Sequence, residues 1–232
     1  MATVVNQFRS KRYKEAATKA VEAPQAIDAA VDIVKQFKPT KFDQSVELIF
    51  SLGIDPKHAD QMIRGSLSLP HGIGKAKRVI AFCPENLQTL ALNAGAVQAG
   101  GQELVQKIEK ENFTDFDVAI ATPDMMRFVG RLGKVLGPKG LMPSPKAGTV
   151  TNDVGTAVKE YAAGKIEFRN DAGGNVHSVV GKLSFDNAKL VDNINAMVAQ
   201  VRKMKPPTSK GHYIKRVVLK STMSPAVHLQ IA

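Results

Sequence analysis

The sequence predicts an α+β terminal domain assembled from both ends of the chain, with an α/β domain, a parallel sheet with flanking helices, inserted into it. Three observations carry this reading. Residues 78–129 alternate short apolar strands with helical segments, the pattern of a parallel sheet with helices on its faces. The segments on either side carry half-apolar strands in an antiparallel style. Glycines punctuate both changes of style, near Pro70–Gly74 and near Ala162–Lys165, and paired short crossings with glycine suit a hinge. The expected bounds are residues 1–71 and 161–232 for the terminal domain and 72–160 for the insert. Pro70, Gly72, Gly74 and Gly164 are the hinge candidates.

Each element follows from its local pattern. Residues 10–19 form a short basic helix. Pro24 suits the first position of a second helix carrying Ile27, Val31, Val34 and Phe37, which stops before Pro39. Gln44–Leu52 reads as a strand and Met62–Leu69 as another. Within the insert, Arg78–Phe82 is a strand, and Pro84 starts a helix carrying Leu87, Leu90 and Leu92. A short strand is expected at Ala96–Gln98, then a helix on Leu104, Val105 and Ile108. Val118–Ala121 is a buried-type strand, and Pro123 opens a helix through Val129. Gly130–Pro145 is rich in Gly, Pro and Lys and reads as a loop, before a helix over Val154–Tyr161. Ile166–Arg169, the turn Asn170–Gly174 and Val176–Leu183 read as a hairpin. Ser184 can cap a helix whose Leu190, Ile194, Met197, Val198 and Val201 share one face; Pro206-Pro207 stops it. Tyr213–Leu219 is the final strand.

Composition narrows the function classes. The chain has 232 residues, 44% hydrophobic and 23% charged, with one cysteine. A chain of this size can bury a core without disulfides, and a lone Cys83 excludes a disulfide framework or a multi-cysteine zinc module. No stretch reaches the roughly 20 apolar residues of a membrane span. Met1–Gln7 lacks the charged start and apolar run of a signal peptide. A soluble cytoplasmic protein with no membrane role is expected.

The net charge of +11 points to polyanions, chiefly nucleic acid. Its distribution is uneven: residues 1–71 and 72–160 carry +2 each, and residues 161–232 carry +7. Nothing after Asp192 is acidic. A second acid-free window runs from Met125 to Asn152, with Arg127, Arg131, Lys134, Lys139 and Lys146. Solvated surfaces ordinarily mix signs, so two such runs suggest polyanion contacts.

Catalytic motifs are poorly supported. Gly72-Ile73-Gly74-Lys75 precedes a strand, whereas a phosphate loop follows one and opens a helix. Gly133–Gly140 misses the G-x-x-x-x-G-K-[ST] spacing, and Pro138 removes an N–H that the cradle needs. This loop can either touch a backbone phosphate or pack on its own domain. The five histidines show no metal-ligand spacing, and no G-x-S-x-G elbow occurs. No cofactor or metal is expected. Phe42 and Tyr213, beside Lys41, Lys215 and Arg216, suit either base stacking or the core. A nucleotide-dependent enzyme using the α/β insert is the rival reading.

Several stretches resemble a known family. Lys41-Phe42-Asp43-Gln44-Ser45-Val46-Glu47, Leu52–Pro56, Leu69–Gly72, Ala121–Met126, Leu136–Pro143, Gly164–Asp171 and Thr222-Met223 follow in order. They are similar to motifs of the large-subunit ribosomal protein number one (L-one) family, bacterial type. The resemblance covers residues 10–225. It implies a hinged discontinuous α+β domain with a Rossmann-like insert. The terminal domain would grip the stalk region of large-subunit ribosomal RNA. The mobile stalk beside the tRNA exit site would assist departure of deacylated exit-site tRNA. The protein, a monomer when free, would also repress its own operon by binding that messenger.

Carried over by position, the resemblance makes Phe42, Ser45, Glu47, Thr222, Met223 and Ser224 RNA contacts. Lys41, Arg169, Lys182, Lys210 and Arg216 would neutralise phosphates. Arg127, Arg131, Lys134 and Lys139 would lie near tRNA. Hydroxyls and carboxylates suit 2′-hydroxyls and base edges. Two positions depart from the family pattern: Ser45 stands where threonine is expected, and Ser224 where glycine is common.

Overall fold

A computed structural model describes residues 9–20, 23–111 and 113–231, so the expectation placed on Met1–Gln7 lies outside the described residues. In chain order the elements are α1 (Lys11–Lys19), α2 (Ile27–Lys35), β1 (Ser45–Leu52), β2 (Arg64–Leu67), β3 (Val79–Phe82), α3 (Glu85–Asn93), β4 (Gln98–Gly100), α4 (Gln102–Glu111), β5 (Val118–Ala121), α5 (Met126–Val129), α6 (Gly133–Leu136), α7 (Val154–Ala162), β6 (Ile166–Arg169), β7 (Asn175–Lys182), α8 (Asn187–Lys203), β8 (Ile214–Ser221) and β9 (Val227–Leu229). The chain divides into two compact units. One contains residues 1–63, 69–74 and 168–232, the other 64–68 and 75–167. Arg64–Ser68 thus packs with the second unit, and that unit runs on to Glu167.

The first unit is built on a four-stranded antiparallel sheet in the order β7-β1-β8-β9. Strict alternation in β1 sends Val46, Leu48, Phe50 and Leu52 inward, leaving Ser45, Glu47, Ile49 and Ser51 on the outer face. One face of the sheet is covered by α2, through Ala30, Val31 and Val34, and by α8, through Leu190, Ile194, Met197 and Val201. The outer face carries polar side chains such as Ser45, Glu47, Arg216 and Lys220 together with Ile49, Val179 and Val218.

The second unit has a parallel sheet in the order β4-β3-β5. All four residues of β3 are buried, because both faces are covered. Ile80 and Phe82 pack with Leu104, Val105 and Ile108 of α4. Val79 and Ala81 pack with Ala91 of α3 and with Val158 and Tyr161 of α7. Arg78 ties the start of the central strand to both Asp115 and Asp117. Its backbone N–H, the largest cause, holds the Asp117 carboxyl below the usual carboxylate range.

Several expectations are corrected. Residues 166–183 are not a hairpin: β6 pairs with β2, while β7 joins β1, leaving only the bridge Asn170–Val176. The five residues between β6 and β7 are tied around Asp171 and redirect the chain to another sheet. Pro24 does not open α2, because Gln25 is held in extended pairing by His228 and Gln230. Ser184 caps no helix; Asp186 takes the N-cap position, and Ser184 bonds to Asp43. Pro123 sits in a turn, and α5 begins at Met126. Gly130–Leu136 is helical rather than loop. In α3, Leu90 and Leu92 are exposed and Ala91 faces the core. Finally, β9 follows β8, so Thr222–Ala226 is a turn between strands instead of a tail beyond the last one.

Candidate nucleic-acid interface

Antiparallel pairing places the start of β1 beside the end of β8, with Val46 opposite Ser221 and Glu47 opposite Lys220. Two motifs about 180 residues apart in sequence therefore meet. The Ser45 carbonyl accepts from the Thr222 N–H at 3.1 Å and from its hydroxyl at 3.3 Å. In return the Ser45 N–H donates to Thr222 Oγ1 at 3.1 Å. Lys182 Nζ, across on β7, donates to Ser45 Oγ at 3.0 Å.

Gln44 organises this end of the sheet. It is 2% exposed. Its Oε1 accepts from Ser221 Oγ at 3.1 Å and from the Met223 N–H at 3.0 Å. Its carbonyl accepts from the Leu183 N–H at 2.8 Å. Ser224 closes the turn: its N–H donates to the Ser221 carbonyl at 3.1 Å, and its Oγ accepts from the Ser221 N–H at 2.9 Å.

Around this frame the structure leaves two large apolar side chains in solvent, Phe42 at 53% and Met223 at 50% exposure. Arg12 of α1 donates to the Met223 carbonyl at 3.2 Å, which brings the basic first helix to the same turn. Glu47 pairs with Lys220 at 3.0 Å, both partly exposed. Its carboxylate is therefore shared with a cation on the neighbouring strand. Arg216 lies on the same outer face, opposite Ser51.

The site residues read from the sequence are thus partly gathered. Phe42, Ser45, Glu47, Lys182, Thr222, Met223 and Ser224 cluster at one end of the sheet. Lys41 is exposed in the adjoining segment. Lys210 belongs to the opposite end, beyond the far terminus of β1, and Arg169 is on β6 outside the four-stranded sheet. Sequence reasoning missed Gln44, Lys220 and Arg12. No sequence pattern marks Gln44, whose burial and partners appear only in the structure. Tyr213 is buried and belongs to the core; burial pushes its phenol up to about 12.

The hinge candidates have defined surroundings. The His71 N–H donates to Asn193 Oδ1 at 3.1 Å, and Asn193 Nδ2 donates to the Gly72 carbonyl at 3.0 Å and the Val180 carbonyl at 2.8 Å. This fully buried amide straps residues 71–72 to α8. Pro70 is exposed, whereas Gly164 is buried. Gly72, Gly74 and Gly164 all have positive φ, of 60°, 73° and 104°, which glycine alone tolerates freely.

In the second unit, Arg127, Arg131 and Lys134 are exposed at helical spacing, opposite the buried Val129, Leu132 and Leu136. Lys139 is tied to Thr114 Oγ1 at 2.6 Å. The N–H groups of Gly137, Gly140 and Leu141 all donate within their own loop, so this loop packs on its own domain and offers no phosphate cradle there. At the carboxyl ends of the parallel strands the ladder runs on, with the Cys83 N–H donating to Gly100 O and the Thr122 N–H to Phe82 O. Among the described residues, no group of three His, Cys, Asp or Glu side chains could hold a metal, and no helix is long and apolar enough to cross a membrane.

One end of the sheet that carries hydroxyls and cations, flanked by exposed apolar side chains, suits a hydroxyl-bearing polyanion. It places the chain in the class of RNA-binding proteins. Comparison with known proteins makes the class specific. Residues 34–225 match the ribosomal protein L1p/L10e family, and the chain belongs to that family. It is 52% identical over 223 residues to large ribosomal subunit protein uL1 of Kosmotoga olearia, covering 95% of this chain and 96% of that one. It is 49% identical over 223 residues to the protein of the same name from Solibacter usitatus, covering 96% and 94%. The relative from Persephonella marina is 51% identical over 209 residues, covering 89% and 86%. These relatives are named as ribosomal proteins, not enzymes, and the rival reading of a nucleotide-dependent enzyme is set aside.

Proposed function

We propose that this chain is a structural protein of the large ribosomal subunit whose first unit grips the stalk region of ribosomal RNA through the β1/β8 end of its sheet. Family membership supports the coarse statement, a large-subunit ribosomal protein that binds ribosomal RNA. One observation supports the finer one: Ser45 and Thr222 interlock while Phe42 and Met223 stay in solvent. The interlock fixes polar groups in advance, so less ordering is needed on binding. The two apolar side chains exclude water from hydrogen bonds formed beside them, which strengthens those bonds. Ser224 forms part of the same turn.

Lys41, Lys182, Arg169, Lys210 and Arg216 supply phosphate neutralisation in this reading. The discontinuous first unit is the RNA-binding domain, and the second is an inserted domain joined through Pro70, Gly72, Gly74 and Gly164. With residues 71–72 strapped to α8, bending at that crossing falls at Gly74. The insert presents Arg127, Arg131, Lys134 and Lys139 toward exit-site tRNA and assists release of deacylated tRNA. The same RNA surface represses translation from the chain's own operon by taking a messenger segment shaped like the stalk. The protein acts as a monomer when free.

The test is binding to a stalk-region fragment of large-subunit ribosomal RNA across a salt series, with an unrelated duplex as control. Preference for the stalk fragment should persist at high salt. Equal affinities that collapse together would mean a generic basic surface and would refute the stalk assignment.

A further inference from the structure

At the far end of the same sheet lies a groove of about 620 Å³ bordered by Gly53, Asp55, His58, Lys210, His212 and Lys215. All of these belong to the first unit. The groove exists because the loop after α8 folds back on the end of β1. The Gly53 N–H donates to the Tyr213 carbonyl at 2.7 Å, and Ser209 Oγ donates to the Gly53 carbonyl at 3.1 Å. A Cβ on Gly53 would stand 2.3 Å from the His212 carbonyl oxygen, so only glycine permits this approach.

The cations here differ from those at the β1/β8 end. Lys182 and Lys220 are each held by a side chain, Ser45 and Glu47. Among the described residues, Lys210 and Lys215 have no hydrogen-bond or ion-pair partner, and both are exposed. The groove also holds one carboxylate, Asp55, which has partners of its own. Asp55 Oδ1 accepts from the Lys57 N–H at 3.0 Å, and Oδ2 lies 3.7 Å from His58 Nε2. Asp171, in the turn whose Gly174 approaches Leu52 and Ile54, is engaged by the N–H groups of Asn175 and Gly173. The groove therefore presents two unpaired ammonium groups and the His212 imidazole, with the Asp55 carboxylate turned to the Lys57 N–H and to His58.

We infer that this groove is a second anchor for the phosphate backbone of the RNA whose shape is read at the Ser45/Thr222 end. The inference rests on the proposed function and deepens it. Eight strand steps separate Ser45 from Gly53, about 26 Å. Between them the outer face carries Glu47, Ile49 and Ser51 of β1 beside Arg216, Val218 and Lys220 of β8, so one RNA can lie along the sheet. In this arrangement one end carries shape-specific contacts, and the other adds salt-sensitive affinity without sequence preference.

The experiment is a salt titration of the full-length chain against the stalk-region fragment. It compares the wild type, the double variant Lys210→Gln/Lys215→Gln and a control double variant, Lys189→Gln/Lys205→Gln. The groove variant should lower the slope of log K against log salt by about 1.5. It should weaken matched and mismatched RNAs equally, with an unchanged urea midpoint. The difference should vanish for a fragment trimmed to cover only the Ser45/Thr222 end. A slope equal to that of the wild type, or an equal loss in the control, overturns the anchor. If the wild type shows no preference for the stalk fragment, the proposed function fails. A slope that still falls only in the groove variant would then keep a phosphate site, and an unchanged slope would remove both.

Discussion

Replacing Gln44 by leucine tests whether a buried amide holds the interface together. The volume is nearly conserved, so the change acts on hydrogen bonds more than on packing. Two donors lose their acceptor: Ser221 Oγ, now at 3.1 Å from Gln44 Oε1, and the Met223 N–H, at 3.0 Å. Ser221 is 1% exposed, so water cannot readily replace the lost partner. A buried donor left unsatisfied costs about 1–3 kcal/mol. The Met223 N–H is only partly buried and the Ser221 hydroxyl can rotate, so the total is placed at about 2–3 kcal/mol. Urea unfolding of Gln44→Leu, of Ser221→Ala and of the double variant measures it. In the double variant one orphaned donor no longer exists, so its cost should fall below the sum of the single costs by about 1 kcal/mol. Affinity for the stalk-region fragment should fall with the loosening of the Thr222–Ser224 turn. A Gln44→Leu midpoint equal to that of the wild type, or strict additivity in the cycle, would refute the reasoning.

Three further outcomes follow from the same geometry. Met223→Ala removes an exposed side chain, so calorimetric RNA affinity should fall by about 1–3 kcal/mol while the urea midpoint stays put; intact affinity would remove Met223 from the interface. Gly53→Ala drives a Cβ against the His212 carbonyl and should destabilise by about 1–3 kcal/mol, with a wild-type melting curve as the contrary result. Asp171→Asn tests a carboxyl held low chiefly by the Asn175 N–H, with Asn175 Nδ2 and the Gly173 N–H adding to it. A depressed pKa stabilises the fold above the unfolded value, near ~3.9, and that contribution is lost as pH falls through the folded value. The wild type should therefore lead the variant at pH 7, by under about 1 kcal/mol after solvent screening, and the lead should shrink below pH 4. A lead unchanged by acid would contradict the assignment.

The elements legible in the sequence were those with strong periodicity. The α8 face on Leu190, Ile194, Met197 and Val201, the α4 face and the buried strands β3 and β5 needed no tertiary information. Partnering was less legible. Strand β6 and the turn after it resemble a hairpin locally, but Asp171 and Asn175 close the turn so that β7 pairs with β1 instead. The final strand β9 spans only Val227–Leu229, too short for a periodic signal, and is fixed by pairing with β8. Glycines at Gly130 and Gly133 suggested a loop, yet burial of Val129, Leu132 and Leu136 against one core overrides their weak helix propensity. At the interface, exposed residues such as Phe42 and Met223 are named by motif resemblance. Gln44 is named only by its partners, since a hydrogen-bonded amide has no sequence period.

The interface separates two kinds of work among its polar groups. Gln44, Thr222 and Ser224 spend their hydrogen bonds inside the protein, and Glu47 shares its carboxylate with Lys220. These groups set positions. Thr222 therefore cannot be scored as a simple RNA contact: its hydroxyl both donates to the Ser45 carbonyl and accepts from the Ser45 N–H. Removing it would loosen both strand ends as well as any bond to a ribose. Phe42, Met223 and the unpaired cations remain open to a ligand. An arrangement in which positioning groups are satisfied beforehand keeps the unbound surface in its binding shape, and the ordering cost of association falls on few side chains. On the proposed function, specificity then comes from the fixed end of the sheet, and affinity from cations distributed along it.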